Sequence, residues 1–114
     1  MTPRFNYLEL PTDDIERSRE FYRQSFGWDF TAFGPSYSAT VSDDTDVGLD
    51  ASPDKNLTSA LPVIEVADLD AVFARVRDSG GTITADIFDF PGGRRFHFTD
   101  PDGHQLGVWE RSQG

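Results

Sequence analysis

The stretch RRFHFTDPDGHQLGVWE, Arg94 to Glu110, reads as two strands folded back on each other. Asp100-Pro101-Asp102-Gly103 at its centre is a turn with a mechanism: Asp bonds nearby backbone, Pro presets φ, and Gly takes a left-handed position that a Cβ would oppose. A three-residue loop closed by a glycine bulge sets His97 opposite Gly107, Phe96 opposite Val108 and Phe98 opposite Leu106. Strand side chains alternate, so Phe96, Phe98, Leu106 and Val108 face a core, while Arg95, His97, Gln105, Gly107 and Trp109 share the other face. That second face is the candidate site.

Upstream of the hairpin the chain repeats itself at a shift of 54 residues. Phe5–Leu10 (FNYLEL) reads as a strand and Thr12 and Asp13 as N-caps. Asp14–Phe26 then reads as a helix with Ile15, Ser18, Tyr22 and Ser25 or Phe26 at helical spacing, stopped by Gly27. Leu61–Val66 (LPVIEV) repeats the strand, Asp68 the cap, and Leu69, Val72, Phe73 and Val76 the apolar stripe, stopped by Gly80-Gly81. Strand-like runs follow each helix: Trp28–Phe33, Tyr37–Val41 and Val47–Asp50, then Thr82–Ile87, Arg94–Thr99 and Gln105–Trp109. Between these last strands, Phe88 and Phe90 read as structural aromatics and Gly92-Gly93 as a turn. Each half is therefore βαβββ. The class is α+β: a single domain over 1–114, with module one at 4–51, a polar linker at 52–59 and module two at 60–110. Neither module buries much alone, so the two are expected to form one curved mixed sheet with helices on its convex side.

Composition narrows the function. At 114 residues the chain is long enough for one core, and 10 Phe make that core aromatic. With no Cys, disulfides and thiolate ligands are excluded. No apolar run approaches the length of a bilayer span or a signal-peptide core, so a cytoplasmic location with no membrane partner is expected. A net charge of -10 disfavours nucleic acid and attracts cations.

YLELPTDDIERSREFYRQSFGW in the first half and FHFTDPDGHQLGVWE in the second resemble the vicinal oxygen chelate superfamily, which groups glyoxalase I, extradiol dioxygenases, fosfomycin-resistance enzymes and bleomycin-resistance proteins. The resemblance covers nearly the whole chain. It implies paired βαβββ modules whose first and last strands present His, Gln or Glu to a divalent metal. That metal chelates two neighbouring substrate oxygens and stabilises charge developing on them. The implied ligand positions fall on Tyr7 and Leu61 in the first strands and on Gly48 and Gly107 in the last. None carries a typical ligand, so no metal and no other cofactor is expected. Glu9, Glu65 and His97, one imidazole and two carboxylates, are the set from which a divalent-metal site can be rebuilt. His104 is read as a solvent-facing or turn-stabilising residue.

Without a metal, the face offers Tyr7, Glu9, Leu61, Val63, Glu65, Arg95, His97, Gln105 and Trp109, the make-up of a small-molecule pocket. Gly48 and Gly107 are expected to leave space at its floor. In the related fosfomycin-resistance enzymes, positions matching Arg95, His97 and Glu9 contribute to substrate binding. Arg95 suits a clamp on carboxylate or phosphate, and His97 with Glu9 suits acid-base catalysis near neutral pH. The expected function is binding of a small cationic or aromatic molecule in a concave cleft without metal, as in the bleomycin-resistance proteins, which are acidic dimers that bind a cationic drug. The alternative is a glyoxalase-like lyase or isomerase using the rebuilt metal site or His97 with Glu9. A homodimer is expected in both cases, because family members of this length commonly build each cleft from two chains.

Overall fold

A computed structural model describes residues 2–52 and 59–113. In chain order the elements are β1 (Arg4–Pro11), α1 (Ile15–Phe26), β2 (Thr31–Ala32), β3 (Tyr37–Ala39), β4 (Asp46–Asp50), β5 (Leu61–Glu65), α2 (Leu69–Asp78), β6 (Thr82–Phe90), β7 (Gly93–Thr99) and β8 (Gln105–Arg111). The βαβββ order thus occurs twice, and the class is α+β with mixed strand pairing. The chain divides into two compact units, residues 7–61 and residues 1–6 with 62–114. Most of the linker read at 52–59, namely 53–58, lies outside the described residues.

In the unit of residues 7–61 the strands run in the order β2-β3-β4-β1. β1 pairs parallel with β4, Glu9 beside Gly48, and β4 pairs antiparallel with β3, Gly48 beside Ala39. Two readings change here. The N-cap of α1 is Asp14, not Thr12 or Asp13: its carboxylate accepts from Arg17 N at 3.1 Å and satisfies one of the open N–H groups of the first turn. Thr12 instead accepts from Asp14 N at 3.1 Å and bonds Ser18 Oγ at 2.7 Å, bracing the cap. Gly27, at φ 73°, ends the helix as read. The strand read at Trp28–Phe33 shrinks to Thr31–Ala32. Trp28 stacks on Tyr22 at 5.6 Å and on Phe26 at 5.1 Å, so ring packing on α1 replaces ladder pairing.

In the other unit the order is β5-β8-β7-β6. The hairpin register is the one read from the turn: Phe96 pairs with Val108, His97 with Gly107 and Phe98 with Leu106. Gly103 sits at φ 89°, and Gly103 N donates to Asp100 O at 2.9 Å. Asp68 caps α2 through Ala71 N at 3.1 Å, and Glu110 Oε1 takes a second open N–H, that of Leu69, at 3.0 Å. One face of the strands and the apolar stripe of α2 make the core, where Val66, Leu69, Phe96, Phe98 and Val108 are buried against Val72, Phe73 and Val76. Phe96 has no exposed surface and meets Phe73 edge-on at 5.1 Å. The turn before β7 is Pro91-Gly92 rather than Gly92-Gly93; β6 continues to Phe90, which pairs with Gly93. No helix among the described residues is long and apolar enough to cross a membrane.

Candidate functional site

Gly48 lies beside Glu9 in one unit, and Gly107 lies beside Val63 in the other. Glu9 and Val63 are themselves 54 residues apart, so the pairing makes Gly48 and Gly107 true counterparts. The expected space at Gly48 is absent. A Cβ there falls on the hydroxyl oxygens of Tyr7 and Tyr37 and lies 2.8 Å from Tyr37 Cζ. The two hydroxyls bond each other, and Tyr37 donates to Glu9 Oε2 at 2.9 Å. Burial first, then the Glu9 charge and Tyr7, pushes the Tyr37 phenol far above its ordinary range and keeps its proton in place. Glu9 is 6% exposed.

The four positions read for the superfamily's metal ligands carry no typical donor. Gly48 and Gly107 lack side chains, Leu61 is apolar and fully buried, and the Tyr7 hydroxyl is engaged with Tyr37. At Gly107 a Cβ meets His97 Cδ2 and both Val63 methyls at 3.4 Å, ordinary contact, so a methyl fits there as it does not at Gly48. Of the residues read as a rebuilt set, Glu65 is already engaged. Glu65, 3% exposed, accepts from Asn6 Nδ2 at 2.7 Å and from Arg111 Nε at 3.2 Å. Trp109, read as a pocket residue, donates its N–H to Asn6 Oδ1 at 3.0 Å, and the Arg111 guanidinium lies over the Trp109 ring at 4.8 Å. Among the described residues, the His and carboxylate trio that does converge is Asp100, Asp102 and His104 in the β7–β8 turn. There Asp100 Oδ1 accepts from Asp102 N and His104 N, and its Oδ2 meets His104 Nδ1 at 2.9 Å, the turn-stabilising role read for His104.

On the non-core face of β7, Arg95 donates to His97 Nε2 from Nε at 3.2 Å and from a terminal nitrogen at 2.9 Å. The same guanidinium lies 5.8 Å from the Phe88 ring centre and 5.6 Å from that of Phe90. Phe88 meets His97 edge-on, and Phe90 meets Trp109. Burial first, then the Arg95 charge, lowers the His97 pKa to about 4. His97 is therefore neutral at pH 7, with Nε2 accepting and the ring proton assigned to Nδ1. That is not the group poised near neutrality that the sequence suggested. Leu61 and Val63 have at most 1% exposure and offer a ligand almost no surface; Tyr7, His97, Gln105 and Trp109 are half-buried.

Sequence reading missed Tyr37 and Asn6. A signal for Tyr37 was present: a glycine inside a strand marks the close approach of a neighbouring group, and Gly48 was read as space instead.

Paired βαβββ modules with mixed strands and two capped helices define a fold class that hosts both catalysts and binders. Residues 4–108 match the Glyoxalase/Bleomycin resistance protein/Dioxygenase superfamily, and the chain belongs to it. Among curated proteins it is 29% identical over 119 residues to CFP32 of Mycobacterium bovis, which carries a glyoxylase name; the match takes in 95% of this chain and 46% of that protein. The chain thus spans about half the length of that relative. It is also 29% identical over 114 residues to a glyoxylase-like domain-containing protein of Didymella fabae, covering 87% of this chain and 88% of the relative. Among solved structures it resembles methylmalonyl-CoA epimerase of Streptomyces coelicolor in complex with 2-nitronate-propionyl-CoA, with TM-score 0.77, 17% identity, and coverage of 96% of this chain and 98% of that one. A hypothetical protein from Bacillus halodurans C-125 aligns with TM-score 0.80 at 10% identity, over 100% of this chain and 98% of the other. At such identities the likeness is one of fold.

Proposed function

We propose that this chain is a small-molecule-binding member of the superfamily that works without the divalent metal. The observation that carries the reading is the pair of tyrosine hydroxyls standing where a side chain at position 48 would begin. The ligand is a small cationic or aromatic molecule. Support for the cationic reading comes from the net charge of -10, and for the aromatic one from the rings of Phe88, Phe90 and Trp109 on the second module. The partner in solution is a second copy of the chain, a reading favoured by large exposed apolar side chains such as Phe21 and Phe26, 59% and 61% exposed.

The test is metal analysis of the purified protein combined with thermal denaturation. The expected result is less than stoichiometric metal, and a melting temperature raised by a cationic aromatic ligand with EDTA present, since binding to the native state stabilises it by mass action. One equivalent of divalent metal, or stabilisation abolished by EDTA, sinks the reading. Light scattering at micromolar concentration checks the dimer.

A second reading, a glyoxalase-type lyase or isomerase, takes Glu9, whose carboxylate accepts from Tyr37, as the general base. Turnover lost in Glu9→Gln, with binding retained, establishes it.

A further inference from the structure

We propose that His97 is a ligand-binding residue held as an Nδ1–H donor, and that it takes the carbonyl oxygen of an aromatic molecule lying against Phe88. The inference rests on the small-molecule reading and deepens its aromatic arm to a ligand class.

A guanidinium only donates, so the two bonds from Arg95 take the lone pair of His97 Nε2 and leave the ring proton on Nδ1. Burial and the Arg95 charge oppose a second proton, and the imidazole keeps this form at neutral pH. Among the described residues no group accepts from Nδ1. Among them, too, no side-chain nitrogen shut off from solvent lacks a partner, so Nδ1 is reached from outside. The ring atom nearest Gly107 is Cδ2, 3.4 Å from where a Cβ would stand. Nδ1 lies on the opposite edge of the ring and is turned toward β6. There the residue paired with His97 is Ala85, a single methyl, and Phe88 stands edge-on to the imidazole with 41% of its surface exposed. A fixed N–H beside an exposed ring fits a molecule that carries an acceptor next to an aromatic face. A hydrocarbon of the same shape meets the ring and leaves the N–H unanswered.

Two measurements on the full chain test this. Long-range proton–nitrogen NMR spectra distinguish a protonated imidazole nitrogen from one with a lone pair, and His104→Asn assigns the two histidines. The Nδ1–H form is expected at His97 at pH 7; the Nε2–H form or the doubly protonated ring overturns the proposal. Titration with acetophenone and α-methylstyrene, molecules of one shape in which a carbonyl oxygen is exchanged for a methylene, reads the ligand class. Acetophenone should bind about fivefold tighter, the worth of one hydrogen bond, and should move the His97 Nδ1 resonance further than α-methylstyrene does. His97→Phe keeps a ring beside Phe88 and should bring the preference to about unity. Equal or weaker acetophenone binding, no binding of either probe, an Nδ1 resonance that both probes move alike, or a preference unchanged in folded His97→Phe overturns the proposal. If the variant does not fold, the tautomer and the wild-type preference still decide. Stoichiometric metal would instead remove the metal-free reading and leave the tautomer and the preference standing.

Discussion

Arg95 and His97, two residues apart on β7, are joined through His97 Nε2, which accepts a guanidinium N–H at 2.9 Å. The pair fixes the imidazole as a neutral acceptor, and burial together with the Arg95 charge makes His97 one contributor to the response to acid. The folded-state pKa of His97 lies at about 4 against an ordinary 6.5. As pH falls below 6.5 the unfolded chain takes up a proton that the folded chain refuses until about 4. The stabilising contribution of neutral His97 is thus fully present above pH 6.5 and is lost between 6.5 and 4. Discounted for the ring's partial exposure, the loss is on the order of 1 kcal/mol. His97→Phe keeps a ring against Phe88, so urea midpoints should fall less between pH 7 and pH 4.5 in that variant than in wild type. An NMR titration of His97 with its midpoint at 6.5 would sink the prediction.

The two counterpart glycines should behave differently. Gly48→Ala pushes a methyl group into two hydroxyls and should cost about 1–3 kcal/mol, the range for overpacking. Tyr37→Phe on that background recovers only part of the loss, because the Tyr7 hydroxyl and the ring carbon 2.8 Å away remain. Gly107→Ala meets neighbours at 3.4 Å and should change stability by less than about 1 kcal/mol. Denaturant unfolding of the three variants checks the order, and equal costs at both glycines would contradict it.

What was legible in the sequence was local. The Asp100–Gly103 turn and the alternation of Phe96, His97 and Phe98 set one register, and the structure has it. The helix caps were legible to within a residue or two, because Thr12, Asp13 and Asp14 are all competent caps and only backbone geometry selects among them. The run at Trp28–Phe33 could not be separated from a strand by composition, since the rings that claim Trp28 come from α1. Gly48 signalled a close neighbour, but that the neighbour is Tyr37 depends on the order β3-β4-β1, a pairing between strands distant in sequence.

Asp14→Ala should destabilise the chain by about 1 kcal/mol, the usual cost of losing an N-cap. Helical signal by circular dichroism should melt earlier in this variant than in wild type. No change in the melting curve would return the cap to its neighbours.

Asn6 joins two elements of one buried network, giving an N–H to Glu65 and taking one from Trp109. Asn6→Ala leaves both partners short of a bond and should cost about 2–4 kcal/mol. Trp109→Phe on that background removes one stranded donor, so the two changes should be less than additive. Strict additivity in the double-mutant cycle would show that the two groups are not coupled. Tryptophan emission, with Arg111 stacked over the Trp109 ring, gives a second readout of the same network.

The glycine at position 48 also constrains which mutational paths are open to this chain. A ligating side chain cannot enter there in one step, because the backbone position is already claimed by two phenols that hold each other and Glu9. The tyrosines must go first, and losing them leaves Glu9 short of a buried donor before anything replaces it. A chain in this state descends in stability before it can carry a ligating side chain at position 48: a ratchet built from a single missing Cβ.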